Sequence, residues 1–542
     1  MFRPNTGHSQ QSLVESTQWM DPRVRKKLLE SWAPVFYEHV FCKIDEEPFA
    51  VLYGKTGNPN FPVNILLSLE YIKHMRDCND VELLDAFNFD YQVNYAIGLR
   101  TLGEMNLARR TLYYFRSRLY QHCLDNPGQD DALFGQFIAL LHHFSKEARI
   151  AMDEQRADTT LFMSNIKKAG RVALAHDVLA QAVKAIPEGM RTESLSKVLE
   201  AGFKNDVLYR MKSQDADRRI TMLLGLCQEA METLDGRPDL AGSGEARVLR
   251  RFLTEQSTAE EGTGKRIPKP NKEIQSGSLQ SAYDEDATYR KKGNEGQSGY
   301  ALELSETCGD GNDFQLITDY AVKPNNVSDP EIFEERIPII KGNTGCRDMY
   351  VDGGFHSDGV HEAAAKNGIN IHLTNMSGTE PTKKLPVTDF AIDQDSKIIQ
   401  RCPAGHAPLR AGVSGGQTSA HFPHETCGQC DLRDQCHSKP QKKDCVVRIN
   451  IKAVDVGRIR ADMKNHQMEN TGKRAGIEGS NSAMKRKGQD KLAVRGGDTT
   501  KIVSALKTAA QNIKRFIKYK LGGYKVKNTS PPLDGILVPI SG

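Results

Sequence analysis

Three acidic residues stand where oxygen ligands would be useful: Asp158 in RADTTLFMSNI, Asp352 at the end of the apolar run in MYVDGGF, and Glu478 in KRAGIEGSNSAMK. Carboxylates are hard ligands, and Mg²⁺ or Mn²⁺ is typically held by one or two of them together with water and substrate phosphate oxygens. Two such ions about 3.5–4 Å apart stabilise the entering and leaving oxygens of an in-line displacement at phosphorus. The trio suits phosphodiester chemistry, with Asp158 shared between two ions and Asp352 and Glu478 each completing one side. Water would be the first nucleophile, and no Ser, Cys or His nucleophile is required. Asp286 or Asp284, in YDEDAT, competes with Asp158 for the first position; otherwise these two cap a turn.

A second chemistry resides in the cysteines. Cys402 in CPAGH precedes CGQCDLRDQC, which supplies Cys427 and Cys430 as a C-x2-C pair and Cys436 beyond them. Four thiolates close a tetrahedral structural zinc site. Such a site would order a polar insertion that lacks its own core. His406, His437 and Cys445 are possible substitutes, and reduced cysteines in a loop are the simpler alternative. Eleven cysteines, an odd number, suit a disulfide framework poorly in a chain of 542 residues.

Two features suggest a polyanionic partner. The stretch NLARRTLYYFRSRLYQHC interleaves Arg109, Arg110, Arg116 and Arg118 with Tyr113, Tyr114 and Phe115, and Asn106 could cap a helix there. That pattern suits the last helix of a helix-turn-helix-like reader of double-stranded DNA, or an amphipathic helix with a solvated arginine face. Between 446 and 528, 20 Lys and Arg face six Asp and Glu, a net +14 in a chain of net +4, so the remainder carries −10. Basic residues near phosphates gain affinity through counterion release.

The elements that must position these groups follow from periodicity. Ile65, Leu66, Leu69 and Ile72, then Val81, Leu84 and Phe87, have helical spacing, with Pro62 at a helix start. Residues 1–145 read as a helical N-terminal DNA-binding domain and 146–164 as the first strand of the core, through Asp158. Residues 165–253 read as a helical insertion, 254–281 as a mobile linker rich in Gly, Ser, Thr, Glu and Lys, and 282–394 as the rest of an α/β core. Residues 395–445 are the cysteine-rich insertion, and 446–542 return to the core with the Glu478 helix and basic helices ending at Gly522 and Gly523. The element order predicts an RNase H-like α/β core interrupted twice. No apolar run approaches the roughly 20 residues of a membrane span, and the first residues lack a signal-peptide pattern, so a cytoplasmic location is expected.

These phrases together resemble the DDE transposases of bacterial insertion sequences, particularly the group numbered eleven eighty-two, related to the IS-four-like transposases. The resemblance covers nearly the whole chain and includes SAYDEDATYRKKG. Its most specific part is the signature Tyr-x2-Arg-x3-Glu-x6-Lys, met at Arg474, Glu478 and Lys485, with Thr471 at the Tyr position. The resemblance implies that Arg474 and Lys485 contact phosphates beside the cut and that a 3′-hydroxyl attacks target DNA after the first cleavage. It also implies a homodimer on paired inverted-repeat ends, associated with the nucleoid. A catalytically silent DNA-binding repressor and a metal-dependent nuclease are the competing readings.

Overall fold

The structure, a computed structural model, describes residues 1–9, 15–126, 131–208, 215–376 and 383–524, so the end of the 446–542 segment lies outside the described residues. The chain is mixed α/β. Its principal sheet contains β1 (Glu154–Phe162), β2 (Thr288–Lys292), β3 (Glu295–Thr307), β4 (Ile317–Pro324), β5 (Asp348–Val351) and β6 (Asn370–Leu373). β3 lies antiparallel to β1, with β4 along its far edge and β2 paired to its N-terminal part; β5 and then β6 continue from β1 in parallel. β1 is therefore central and covered on both faces, which explains why apolar and β-branched residues fill its second half.

One face of this sheet shares its core with helices from both ends of the chain. These are α1 (Trp32–His39), α2 (Val63–Arg76), α3 (Asp80–Phe89), α4 (Arg109–Asp125) and α5 (Ala132–Ala148) from the N-terminal side, and a long helix at Gly497–Lys520. Phe144 stacks on Phe516 with centroids 4.3 Å apart, and Phe134 and Phe137 flank Tyr320 of β4. Asn512 bonds both the N–H and the C=O of Ile317, at 2.8 and 2.7 Å. The segment expected as an N-terminal domain thus packs into a common core, because α2 is buried on every side for its first ten residues, Asn64, Ser68 and Glu70 included.

Three helices, α6 (Arg171–Ala185), α7 (Ala216–Asp235) and α8 (Gly244–Gln256), form a block with its own core of Val178, Leu179, Leu223, Leu249 and Phe252. The stretch expected as a linker instead carries the end of α8 and a hairpin of Ser257–Ala259 with Arg266–Pro268, and Leu279 is buried in the block's core. Such short, polar strands leave no periodicity to read.

On the sheet's other face, α9 (Asp329–Thr344) and α10 (Asp358–Lys366) bring Phe333, Ile337 and Val360 against Ala157, Met349 and Val351. Beyond β6 the cysteine-rich segment forms a second, antiparallel sheet of β7 (Arg410–Ser414), β8 (Gln417–Phe422), β9 (Lys439–Pro440) and β10 (Cys445–Asn450). Its core of Phe390, Ile399, Phe422, Val447 and Ile449 corrects the expectation of a coreless insertion; β8 buries alternate residues, the period of a half-covered strand. The chain returns through α11 (Ile451–Asn465) and α12 (Gln467–Met484) to α13 (Gly497–Lys520), where Gly522, with φ of +69°, follows the helix end. The expected cap of α4 differs: its N-cap is Ala108 and no side chain caps it. No helix among the described residues is long and apolar enough to cross a membrane.

Candidate active site

β1 and β5 run parallel with Arg156 beside Tyr350, so two residues further on Asp158 comes abreast of Asp352 at the end of β5. Asp352 starts a tight turn, accepting the Gly354 N–H at 2.8 Å. A Cβ on Gly353 would lie 2.4 Å from the Asn375 carbonyl oxygen, so only glycine lets this turn pass β6's end.

α12 crosses above these two strand positions. A Cβ on Gly476 would lie 2.2 Å from Arg156 Nη1, so the missing side chain permits the close approach of helix to strand. Arg156 donates to the Lys473 carbonyl at 2.7 Å and to Glu306 at 2.8 Å. Fully buried Glu306 also accepts from Ser480 at 2.6 Å and Arg515 at 3.0 Å. This carboxylate therefore ties β3 to β1, α12 and α13 through charge-assisted bonds, which are stronger than neutral ones.

The helix period then puts Arg474, Glu478 and Asn481 on one face, above the strand ends. Arg474 reaches all three predicted carboxylates: Nη2 lies 3.2 Å from Asp158 Oδ1 and 3.6 Å from Asp352 Oδ2, and Nη1 lies 3.3 Å from Glu478 Oε1. Exposure rises across the trio, at 18% for Asp158, 33% for Asp352 and 65% for Glu478, so the site is deep at one side and open at the other. Asn481 donates to the second oxygen of Asp158 at 2.9 Å. Burial raises the Asp158 carboxyl above its ordinary range, Arg474 pulls it back, and Asp352 pushes it up again. Two buried polar atoms here lack hydrogen-bond partners, Arg474 Nε and Asn481 Oδ1. One is a donor suited to an anionic oxygen, and the other an acceptor suited to a cation or its water.

Behind β1, on the opposite sheet face, Arg336 forks onto Asp319 at 2.8 and 2.6 Å with Glu303 buried alongside. One guanidinium serves two carboxyls, and burial with the Asp319 charge pushes Glu303 up to about 8.

The competing acids lie elsewhere. Asp284 is buried and accepts from Tyr300 at 2.7 Å, Ser164 at 2.5 Å and the Gly496 N–H at 3.0 Å, while Asp286 accepts the Gly497 N–H at 2.8 Å. Both secure the start of α13. Lys485 follows α12 directly and stands 3.9 Å from Asp490, whereas Arg474 is the residue of the signature that pairs with the carboxylates. On α4, Arg109 lies over the exposed Tyr113 and Arg110 over the exposed Tyr114, whereas Arg118 lies over Tyr53. Arg116 turns inward, bonding Glu70 at 2.7 Å and Asp80 at 2.7 and 2.8 Å, which gives it a structural part.

Cys402, Cys427, Cys430 and Cys436 line one small cavity of about 30 Å³ with His406, and none of the eleven cysteines is in a disulfide. His424 and Cys445 make a further contact at 3.5 Å. Burial raises the Cys427 and Cys436 thiols, and neighbouring thiols raise them further. His437 bonds the Leu385 carbonyl at 2.9 Å.

Arg156, Glu306, Asn481 and Arg515 were not legible as site residues. The available signal was two glutamates in one strand, Glu303 and Glu306 in ALELSET, and sequence alone does not name their partners. Neither a curated protein nor a solved structure matches the chain. Residues 401–517 match the family model of the transposase DDE domain, a span that holds Arg474, Glu478 and Lys485 and supports a DDE transposase.

Proposed function

We propose that this chain cleaves the ends of a mobile DNA element and joins them to target DNA, with Asp158, Asp352 and Glu478 as the metal-binding carboxylates. The observation that carries the reading is the convergence of these residues, from two strands and a helix, on the guanidinium of Arg474. Arg474 acts as a stand-in cation: three carboxylates around one positive group form a donor set suited to hard divalent ions such as Mg²⁺ or Mn²⁺. When bound, two such ions would supply charge stabilisation to the entering and leaving oxygens of a phosphodiester. The order β4-β3-β1-β5-β6, antiparallel on one side of β1 and parallel on the other, supports an RNase H-like core.

The protein's own groups then have distinct parts. Asp158 is oriented by Asn481, Asp352 by its turn, and Glu478 by the clamp of Glu306 on α12. Arg474 moves off the carboxylates and meets the scissile phosphate, its fork matching two phosphate oxygens. Lys485 and the exposed arginines of α4 hold the duplex further out. The four cysteines bind zinc and hold the second sheet, and a homodimer pairs the element ends. The group numbered eleven eighty-two remains the most specific placement, supported by the spacing of Arg474, Glu478 and Lys485.

The test is cleavage of DNA carrying the inverted-repeat ends that bound the gene. Asp158→Asn, Asp352→Asn and Glu478→Gln should bind this DNA normally and lose cleavage by on the order of a hundredfold or more in Mg²⁺. Retained cleavage by any of the three contradicts the assignment.

A further inference from the structure

Away from the carboxylate site, α1 and α5 bring three ligand-type residues together. His39 is the last residue of α1, and His143 and Glu147 lie one turn apart on the same face of α5. Nδ1 of His39 is 3.0 Å from Nε2 of His143, and one ligand atom from each of His39, His143 and Glu147 falls within 4.8 Å of the others. From these positions we propose a second metal site, in which His39, His143 and Glu147 bind a borderline transition-metal ion of the zinc class and join α1 to α5.

Bond lengths of about 2.0–2.1 Å in a tetrahedral zinc site separate two imidazole nitrogens by about 3.3 Å. The observed pair needs to open by only a few tenths of an ångström. The other ring nitrogen of His39 faces Glu38 at 3.9 Å, beyond hydrogen-bond distance but near enough for the carboxylate to attract a proton carried there. Imidazole ligands favour zinc, nickel or copper over magnesium, so the site differs in class from the Asp158 cluster.

A cation already neutralises the acidic ligand: Lys520, from α13, lies 3.0 Å from Glu147. Phe516 of the same helix packs edge-on to His39 with centroids 5.2 Å apart. The bound ion would take the place of the ammonium against Glu147, and Lys520, on the chain's surface side, would turn to solvent. The site sits at the seam between the N-terminal helices and the helix that follows Glu478 in the chain, so its occupation would stiffen that seam.

The experiment is Co²⁺ titration of the full chain after chelator stripping, followed by absorption spectroscopy and thermal melting. Thiolate ligation gives strong near-ultraviolet charge-transfer bands; the proposed site gives visible bands without them. Wild type should show a cobalt equivalent lacking the thiolate signature and a rise in melting temperature that excess Mg²⁺ does not reproduce. Glu147→Gln and His143→Gln should weaken that equivalent beyond the roughly 10–100-fold typical of losing an outer-shell partner, with the thiolate bands unchanged. Glu147 is exposed, so its variant decides the matter if His143→Gln does not fold. Uptake with only a thiolate signature, or the same thiolate-free uptake in wild type and Glu147→Gln, overturns the proposal.

Discussion

Replacing Arg474 by Gln removes the one cation shared by the three carboxylates. At 3.2 Å an ion pair is worth about 5 kcal/mol at an effective dielectric constant of about 20. Desolvation of Arg474, itself 16% exposed, offsets part of this, and the Glu478 contact is open to solvent and adds at most about 1 kcal/mol. Leaving Asp158 and Asp352 unpaired should therefore lower stability by about 3 kcal/mol in chelator, the lower end of what breaking a buried pair costs. The same removal lifts competition for the carboxylates, so Mn²⁺ should bind the DNA-free variant more tightly, by up to about a hundredfold if about 3 kcal/mol of pairing is relieved. Chemical denaturation with EDTA and with saturating Mn²⁺, beside calorimetric Mn²⁺ titration, measures both effects. The expected pattern is a stability gap that closes in Mn²⁺, with lower DNA cleavage because the phosphate contact is gone. Equal or weaker Mn²⁺ binding by the variant, with a gap indifferent to Mn²⁺, refutes the idea that Arg474 occupies the ions' place.

Other consequences are smaller but separable. Gly476→Ala puts a methyl group into Arg156, whose guanidinium is pinned by Glu306 and the Lys473 carbonyl; cleavage should fall and stability drop by about 1–3 kcal/mol, and a variant as active and stable as wild type counts against the helix-to-strand contact. Arg116→Ala strands the buried Glu70 and should cost about 3–5 kcal/mol in denaturation, whereas Arg109→Ala with Arg110→Ala should leave stability within about 0.5 kcal/mol and weaken DNA binding in a salt-dependent way. Burial and the Asp319 charge raise the Glu303 carboxyl above its ordinary range in the folded state, so its favourable contribution is full below the unfolded value and lost as pH rises through the raised one. Glu303→Gln should therefore gain stability over wild type progressively between about pH 5 and about pH 8, and parallel denaturation curves across that range would count against a protonated Glu303.

How much of this was legible beforehand depended on whether a signal was local. Asp352 follows an apolar strand directly, and the spacing of Arg474 to Glu478 is one helical turn, so strand end and helix face could both be read from a few residues. The placement of Arg474 among the carboxylates could not, because it depends on how closely α12 approaches β1, and that is decided by Gly476 and Ser480 of α12 together with Arg156, Glu306 and Arg515 from distant parts of the chain. The helical periodicity of Ile65 to Ile72 announced a helix without saying that it would be buried or that α13 would share its core. Likewise the alternation in β8 was overshadowed by the cysteines around it, which drew attention to a metal and away from Phe422, Val447 and Ile449 as a hydrophobic core.

The most direct test of the central claim locates the divalent ion on the polypeptide itself. Fe²⁺ substituted for Mg²⁺, with ascorbate and peroxide, generates radicals that cut the backbone beside the bound metal. Mg²⁺-suppressible cuts should fall near residues 158, 352 and 478 together, weakened at all three places by Asp158→Asn. Mg²⁺-suppressible cuts centred instead on residues 284–286, with 158, 352 and 478 intact, would contradict it.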